Sequence, residues 1–370
     1  MTTKEVWMSR ALELAKKGEG HVSPNPMVGC VVVKDNRVIA EGYHEKYGEY
    51  HAERNALLSC TEDPAGADLY VTLEPCCHHG KTPPCTDIII EKKIARVFVG
   101  SGDPNPLVAG RGLEILEEAG IQVETGILEK ECKKLNEVFF YYMTTKMPFV
   151  VMKYAMSLDG KIACATGDSR WVTGEEARAE VHDMRKRYAA IMVGIRTVEL
   201  DDPMLNCRTE EGVDPLRVIC DSRLRIASDS HIVRTAHEIP TVVACSHHAL
   251  EDSRKARKVE QLKEAGIEII GTSRMKGVNL KELLKKLGER GIDSVLIEGG
   301  SMIHGSALEA GVVNKVYAYI SPKIIGGLDA PSPIGGLGAE KIAECAVLID
   351  REIRQLGEDI CISGYPVYPE

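Results

Sequence analysis

Apolar positions in the first part of the chain alternate between strand-like runs and stretches with helical spacing. An amphipathic helix is predicted over 1–20, and a hairpin follows in which VGCVVV and RVIAEGY flank Asp35-Asn36. Strands are then predicted at 68–74, 95–101 and 121–127, with helices at 51–60, 85–93 and 110–120. Strands separated by helices of this length indicate an α/β sheet with mostly parallel connections.

A second α/β pattern begins after a proline. Helical spacing resumes over 128–146 and stops at Met147-Pro148, since the residue before a proline disfavours helix. Short apolar runs with helix-like segments between several of them follow at 149–157, 187–195, 215–222, 241–246, 267–272, 293–300 and 315–325. The pattern contains no internal repeat and no low-complexity linker. It predicts two closely joined α/β domains, 1–146 and 147–370.

Composition and charge narrow the classes of partner. The chain has 370 residues, of which 44% are hydrophobic and 27% charged, as expected for a globular protein with two cores. A formal net charge of −9 offers no general attraction to a phosphate backbone, so we expect no nucleic acid partner. The chain has no apolar run of membrane-spanning length and no secretion signal at its N-terminus, and its twelve cysteines fit buried reduced thiols. We therefore expect a cytoplasmic protein without a membrane partner.

The candidate chemistry lies in two short segments, YHAERN at 50–55 and EPCCHHGKTPPC at 74–85. On a helix, His51 and Glu53 project about 200° apart, so they do not easily bind one ion together. This arrangement suits one metal ligand and one proton carrier, because a catalytic zinc needs an open coordination position and a separate base. Cys76 and Cys85 supply the remaining ligands, and a helix start at Cys85 favours the thiolate.

The spacing of the two cysteines leaves alternatives open. Zinc deaminases carry H-x-E followed by P-C-x-x-C, whereas here eight residues separate Cys76 from Cys85. Three residues of this loop are rival ligands: Cys77, His78 and His79. Adjacent residues of an extended segment point opposite ways, which disfavours Cys77 beside Cys76. A closed zinc site without catalysis is a further alternative, as are two unrelated buried cysteines, but neither explains Glu53 so close to a ligand.

Several motifs, in order, resemble one family. PNPMVGCVVV, HAERNA, EPCCHHGKTPPC and DPNPLVAGRG are similar to the deaminase domain of the bifunctional riboflavin biosynthesis (RibD) family. MSLDGKIA, GDSRWVT, DDPMLNCR and IEGGSMIHGSAL are similar to its reductase domain. The family has eight residues between its cysteine ligands, which favours it over relatives with the shorter spacing. Cys77 departs from the family, in which a small polar Ser is usual.

The resemblance covers essentially the whole chain. It implies a cytidine-deaminase-like α/β/α domain followed by a dihydrofolate-reductase-like α/β domain. It also implies zinc-dependent deamination of 2,5-diamino-6-(5-phosphoribosylamino)pyrimidin-4(3H)-one, then NADPH-dependent reduction of the ribosyl group of 5-amino-6-(5-phosphoribosylamino)uracil to ribityl. The cofactors would be one Zn²⁺ per chain and NADPH. The partners would be small phosphorylated pyrimidines and further copies of the chain, in a homo-oligomer.

For the first reaction the resemblance implies a zinc ion held by His51, Cys76 and Cys85. Glu53 would move protons between water, the ring nitrogen and the leaving ammonia. Four further side chains are expected to contact the substrate: Asn25, His44, His78 and Lys81. The asparagine lies between two prolines and the lysine in a polar loop, so turn chemistry and simple solvation are the ordinary alternatives for these two.

For the second reaction we expect the cofactor phosphates where the strand ending at Glu298 meets a helix. Amides at such a helix start bind anions without any lysine, although Gly-Gly-Ser is also an ordinary strand-to-helix turn. With the resemblance, the expected cofactor contacts are Ala155, Trp171, Thr197, Asp201, Ser222, Gly300, Ser301, Met302, Ile303, His304, Gly305 and Ser306. The expected substrate contacts are Lys153, Ser169, Arg185, Leu205, Arg208 and Glu298. Arginine suits bidentate capture of the sugar phosphate, and a tryptophan is otherwise typical of a core.

Two rival functions remain at this point. A nucleic-acid-editing deaminase with an accessory domain would need a basic groove, which the net charge of −9 opposes. A scaffold stabilised by zinc but without catalysis would bind the metal and release no ammonia from any pyrimidine.

Overall fold

The computed structural model describes residues 2–209, 212–273 and 277–369. The chain divides into two compact units, with the boundary between Lys146 and Met147. Among the described residues, no helix combines the length and the apolar character that crossing a bilayer requires.

The first unit has a five-stranded sheet in the order β2-β1-β3-β4-β5. Its strands are β1 (Gly29–Lys34), β2 (Arg37–Tyr43), β3 (Asp68–Leu73), β4 (Arg96–Ser101) and β5 (Gln122–Thr125). Its helices are α1 (Thr3–Ala15), α2 (Ala52–Leu58), α3 (Cys85–Glu91), α4 (Arg111–Glu118), α5 (Glu129–Leu135) and α6 (Glu137–Thr145). The predicted parallel pairing is confirmed for β3, β4 and β5, whereas β1 pairs antiparallel with both β2 and β3.

Side chains along β1 alternate between the two faces of the sheet, and helices pack on both faces, so the unit has three layers. Cys30 and Val32 pack with apolar side chains of α2 and α3, while Val31 and Val33 pack with those of α1. The sheet is therefore covered on both faces, as the predicted α/β/α arrangement requires. The predicted hairpin turn is also confirmed: Asp35 and Asn36 have φ values of 50° and 59°, the left-handed pair that a tight two-residue hairpin uses.

The prediction of one continuous helix over 128–146 is wrong, because the helix is interrupted at Asn136. The side-chain oxygen of Asn136 accepts from the backbone N–H of Met27 (2.8 Å), and its amide donates to the Met27 carbonyl (2.9 Å). Asn136 has φ −106° and ψ 25°, outside the helical range, and its side chain is buried. The asparagine thus ends one helix and holds the segment that precedes β1.

The second unit has a nine-stranded sheet in the order β10-β9-β8-β7-β11-β6-β12-β14-β13. Its strands are β6 (Phe149–Ser157), β7 (Ala190–Gly194), β8 (Leu216–Cys220), β9 (Thr241–Ser246), β10 (Ile267–Thr272), β11 (Ser294–Gly299), β12 (Lys315–Ser321), β13 (Val347–Leu356) and β14 (Asp359–Val367). Its helices are α7 (Glu175–Arg187), α8 (Ile195–Asp201), α9 (His231–Arg234), α10 (His247–Glu251), α11 (Ala256–Glu264), α12 (Leu280–Gly288) and α13 (Ser301–Glu309).

Pairing in this sheet is parallel from β10 to β12, and β14 is antiparallel to both β12 and β13. All seven strands expected from the apolar runs are present. The hairpin of β13 and β14 was not predicted, because β13 is exposed along most of its length and shows no apolar run.

Candidate functional site

A pocket in the first unit collects almost all of the residues expected at a deaminase site. It lies where β3 and β4 end and α2 begins, and its lining includes Asn25, His44, His51, Glu53, Cys76, His78 and Lys81. Cys85 is buried directly beside His51 and Cys76. The structure therefore brings together residues that are up to sixty positions apart in the sequence.

His51, Cys76 and Cys85 form a group of possible metal ligands. Nδ1 of His51 lies 3.3 Å from Sγ of Cys76 and 3.6 Å from Sγ of Cys85, and all three donor atoms lie within 4.8 Å of one another. Tetrahedral zinc with ordinary Zn–N and Zn–S bonds separates such ligands by about 3.6 Å, so the group fits zinc. His51 precedes the first residue of α2, and Cys85 is the first residue of α3.

The loop between the two cysteines is folded back on itself. The backbone N–H of Cys85 donates to the Cys76 carbonyl (3.0 Å) and lies 3.4 Å from its sulfur. Hydrogen bonds from Cys85 and His51 lower the pKa of the Cys76 thiol, and the same contact with Cys76 raises the pKa of Cys85. Binding a divalent metal to both sulfurs would displace the remaining proton.

The rival ligands lie outside this group of donor atoms. Sγ of Cys77 points to the carbonyl of Leu107 at 3.7 Å, as expected if adjacent residues face opposite ways. His78 lines the pocket without joining the group, and His79 is not among the lining residues.

Glu53 lines the same pocket but does not belong to the group of possible metal ligands. Its side chain is buried, and Oε2 has no hydrogen-bond partner among the residues that the structure describes. Burial, reinforced by the charge of Cys76, raises the pKa of Glu53 to about 7. A buried carboxyl with an unsatisfied oxygen that faces a pocket is suited to exchanging protons with a bound molecule.

Asn25 and His44 form a hydrogen-bonded pair in the pocket. The carbonyl of Tyr50 can only accept, so Nδ1–H of His44 donates to it (3.0 Å). Burial lowers the pKa of His44, which leaves Nε2 unprotonated to accept from the Asn25 side-chain amide (3.1 Å). The Asn25 oxygen is therefore oriented by His44, which goes beyond simple turn chemistry.

The pocket residues that sequence reasoning missed include Tyr47, Glu74, Asp103 and Asn105. Tyr47 lies beneath Lys81, whose ammonium is 3.8 Å from the ring centroid. Burial raises the pKa of Asp103 to about 6. A signal was present, because Asp103 follows β4 just as Cys76 follows β3, and parallel neighbouring strands end at the same edge of a sheet.

In the second unit, the residues expected to contact the cofactor lie at one edge of the sheet. Strands β8, β7, β11 and β6 are consecutive and parallel. Ala155 is near the end of β6, Thr197 is in the helix after β7, Ser222 follows β8, and Gly300 follows β11. Ligands of open α/β sheets bind at this carboxyl edge.

The start of α13 is preceded by a glycine in the left-handed region and has no side-chain cap. Gly300 has φ 96°, a conformation that residues with a Cβ rarely adopt, and it precedes the helix without a side-chain cap. A Cβ at this position would lie 3.4 Å from Oγ1 of Thr197, so two expected cofactor residues are adjacent. Within the run 300–306, however, His304 is buried and hydrogen bonds to the Pro333 carbonyl (2.9 Å).

Arg185 and Glu298 form a buried bidentate ion pair. Nε and Nη2 of Arg185 donate to the two carboxylate oxygens at 2.6 and 2.7 Å, and Nη1 donates to the Asn206 carbonyl (3.1 Å). Their side chains are only 12% and 8% exposed. Capture of a sugar phosphate by Arg185 stays a prediction, but two edges of the guanidinium already have protein partners.

The other expected substrate and cofactor residues differ in exposure. Burial lowers the pKa of Lys153, and the nearby Glu298 carboxylate opposes this effect. Trp171 is 61% exposed rather than part of a core, and the guanidinium of Arg178 lies 4.7 Å from its ring. Leu205 is buried, whereas Arg208 and Asp201 are exposed and Ser169 is half-buried.

Comparison with known proteins shows the family. The model of the cytidine and deoxycytidylate deaminase zinc-binding region matches residues 1–101, and that of the RibD C-terminal domain matches residues 148–362. The riboflavin biosynthesis protein RibD of Actinobacillus pleuropneumoniae is 51% identical over 364 residues, which cover 98% of this chain and 95% of that protein. The chain belongs to the RibD family. The RibD of Escherichia coli is 39% identical over 372 residues, which cover 97% of this chain and 98% of that protein.

Solved structures agree with this membership. The diaminohydroxyphosphoribosylaminopyrimidine deaminase/5-amino-6-(5-phosphoribosylamino)uracil reductase of Thermotoga maritima has a TM-score of 0.85 and 41% identity, with 99% of each chain covered. Acinetobacter baumannii RibD in form 1 has a TM-score of 0.85 and 37% identity, again over 99% of each chain. The expected fold, a cytidine-deaminase-like domain followed by a RibD reductase domain, is confirmed.

Family membership establishes the class of activity. The chain is a bifunctional enzyme of riboflavin biosynthesis, with a deaminase and a reductase, and its cofactors are Zn²⁺ and NADPH. The group of His51, Cys76 and Cys85 fits a zinc ion, and the start of α13, which Gly300 precedes, fits a cofactor phosphate. Family membership therefore supports neither the editing deaminase nor the scaffold without catalysis.

Proposed function

We propose that this chain deaminates 2,5-diamino-6-(5-phosphoribosylamino)pyrimidin-4(3H)-one and then reduces the ribosyl group of 5-amino-6-(5-phosphoribosylamino)uracil to ribityl. We assign the first reaction to residues 1–146 and the second to 147–370. The observation that carries the proposal is the group of His51, Cys76 and Cys85 donors at a pocket that is also lined by Glu53, whose buried Oε2 has no hydrogen-bond partner among the described residues. The names of the two activities of the Thermotoga maritima protein support the choice of substrates.

In the deaminase pocket each residue has a separate task. His51, Cys76 and Cys85 would hold zinc, which when bound supplies the Lewis acidity that lets water react near neutral pH. Glu53 takes one proton from that water and delivers it to the ring nitrogen. It then takes the second proton, from the hydroxyl now bonded to the ring carbon, and delivers it to the amino group, which leaves as ammonia while the ring carbon becomes a carbonyl. The Asn25 amide, oriented by His44, holds the pyrimidine edge.

The mouth of the same pocket offers charge for the substrate phosphate. Lys81 lines the pocket, and its contact with the Tyr47 ring holds the ammonium at the opening. His78 lines the same region. We propose that these two residues bind the phosphoribosyl part, since a few local cations must hold a phosphate when the net charge of the chain is negative.

Replacing Cys77 with serine should leave both zinc content and ammonia release close to those of the parent protein. Its sulfur faces the Leu107 carbonyl and not the other ligands, so the substitution removes no donor. Zinc is measured by elemental analysis and ammonia by a coupled enzyme assay. Cys85→Ser is the matched comparison and should lose zinc; the reverse result for the two variants would show that the ligand set is wrong.

In the reductase unit the protein binds and orients while NADPH supplies the hydride. The turn at Gly300 and the first amides of α13 would hold the cofactor pyrophosphate, with Thr197 beside them. Glu298, fixed by Arg185, lies near Lys153, and this group would position the sugar carbon that receives the hydride.

Gly300→Val should weaken NADPH binding while zinc content and ammonia release stay unchanged. A valine at φ 96° adds strain of about 1–3 kcal/mol, and its bulk would meet Thr197 at the helix start. Dissociation constants come from titration of nicotinamide fluorescence. Gly291→Ala is the control, because Gly291 also has a positive φ (84°), with open space around it, at the opposite end of β11. Equal NADPH affinity in the parent and Gly300→Val would contradict this proposed phosphate site.

A coupled assay tests the proposed function as a whole. The purified protein is given the diaminopyrimidinone phosphate, and ammonia is followed with and without NADPH. Ammonia release should not require NADPH, whereas NADPH oxidation should begin only after deaminated product has formed. NADPH oxidation with no preceding ammonia would contradict the proposed order of reactions.

We also propose that the chain forms a homo-oligomer through β13. This strand is the edge of the nine-stranded sheet and exposes Val347, Ile349 and Ile353, which are 48–69% accessible. A long edge strand with exposed apolar side chains readily pairs with another chain. Sedimentation equilibrium should show a dimer or larger species, and Ile353→Lys should shift it towards monomer. A monomeric parent at micromolar concentration would contradict this proposal.

A further inference from the structure

The carboxylate of Glu74 connects the loop that bears Cys76 to the segment 103–112. Glu74 follows β3, and its side chain is buried. The backbone N–H of Gly110 donates to both carboxylate oxygens (2.9 and 3.0 Å), and that of Gly112 donates to Oε1 (3.1 Å). The N–H of Asp103 donates to Oε2 at 3.3 Å. One side chain thus accepts hydrogen bonds from both ends of the segment 103–112.

That segment forms part of the pocket wall. Asp103, Asn105 and Val108 line the pocket, and the Asp103 carboxylate accepts from the Asn105 N–H (2.7 Å). The Asn105 side chain accepts in turn from the Leu107 N–H (3.1 Å). The hydrogen bonds within the segment 103–112 give the wall its shape, and the hydrogen bonds to the Glu74 carboxylate fix its position.

The contact is suited to a carboxylate. Gly110 precedes the first residue of α4, so its N–H and that of Gly112 belong to the helix start, where the donors lack intrahelical acceptors and negative charge is favoured. A Cβ at Gly112 would clash with the Pro75 carbonyl and lie 3.2 Å from Oε1 of Glu74. The helix start therefore packs directly against the residues that precede Cys76.

We propose that Glu74 is a positioning residue for the deamination, which sets the distance between the metal ligands and the wall that carries Asp103 and Asn105. The inference rests on the proposed deaminase function and adds a residue that acts through the pocket wall and is not one of the His51, Cys76 and Cys85 donors. Its consequence is that the pyrimidine is held at the correct distance from the ligands only while the carboxylate is intact.

Glu74→Gln tests the proposal, because the amide keeps the shape but replaces one acceptor with an NH₂ group that faces backbone N–H donors. We expect the KM for deamination to rise roughly 10- to 100-fold, as misplacement of a binding wall predicts, with a much smaller change in kcat. Zinc content and the reduction of deaminated substrate should stay at parental values. Amide hydrogen exchange should accelerate at Gly110 and Gly112 but not at Cys85, whose N–H is bonded to Cys76.

Glu114→Gln is the matched control, since it removes a carboxylate from the exposed face of the same helix. It should change neither KM nor exchange. Parental KM and parental exchange in Glu74→Gln would overturn the inference, and so would a KM change that follows loss of zinc. If the parent releases no ammonia, the proposed deamination fails, while exchange at Gly110 and Gly112 still decides whether Glu74 holds the wall. Should the glutamine variant not fold, Glu74→Asp is measured in the same way and should give a smaller rise in KM.

Discussion

Replacing Glu53 with glutamine is expected to stop ammonia release while zinc remains bound. The amide fills the same buried space but cannot carry the two protons that leave the water, one for the ring nitrogen and one for the departing amino group. The loss should be at least the ~10²- to 10⁴-fold that general acid–base catalysis contributes. Single-turnover ammonia release and elemental zinc analysis measure the two quantities on one preparation.

Two comparisons make the Glu53→Gln result specific. Reduction of substrate that is already deaminated should proceed at the parental rate, because the reductase residues belong to the other unit. Glu45→Gln, an exposed carboxylate before α2, should leave both activities unchanged. Deamination at the parental rate by Glu53→Gln would refute the proton-carrier role.

The second large effect is expected at the Arg185–Glu298 pair. Arg185→Ala leaves the buried Glu298 carboxylate without its bidentate partner, which should lower the free energy of unfolding by about 3–5 kcal/mol. The KM for the reductase substrate should rise as well, because Glu298 is no longer fixed, while NADPH affinity changes little. Denaturant unfolding and steady-state kinetics with NADPH in excess measure these effects.

A double-mutant cycle separates the pair from its surroundings. Arg185→Ala with Glu298→Ala removes both charges, so it should destabilise the protein by less than the sum of the two single substitutions. Arg185→Lys keeps the positive charge but loses the bidentate guanidinium. Its free energy of unfolding should therefore lie between those of the parent and of Arg185→Ala. Additive losses across the cycle would contradict a coupled pair.

The metal group could be predicted from the sequence because its chemistry is local. His51 and Glu53 are two positions apart at a helix start, and Cys76 and Cys85 each follow a proline. The same local pattern could not separate Cys76 from Cys77, since that choice depends on the direction of each side chain. The structure separates them through the contact of Cys77 with the distant Leu107 carbonyl.

Features that depend on contacts between residues far apart in the chain could not be predicted from the sequence. The break at Asn136 depends on a pair of hydrogen bonds with Met27, more than a hundred positions earlier. Arg185 was expected to bind phosphate because nothing local revealed that Glu298 occupies its fork. Propensity and spacing describe neighbours along the chain, whereas these residues are decided by partners that only the fold provides.

The position of β6 in the middle of its sheet has a consequence for synthesis on the ribosome. This apolar strand is the first of the second unit to be made, yet its neighbours are β11 and β12, which begin at Ser294 and Lys315. At about 5–20 residues per second, a nascent chain exposes β6 for roughly 7–28 s before either neighbour exists. The first unit has all its strands by then. A chain cut short before Ser294 therefore has the complete first sheet and the strands β7 to β10, but β6 lacks both of its neighbours. An unpaired apolar strand of this kind is a segment that chaperones bind and that aggregates when they do not.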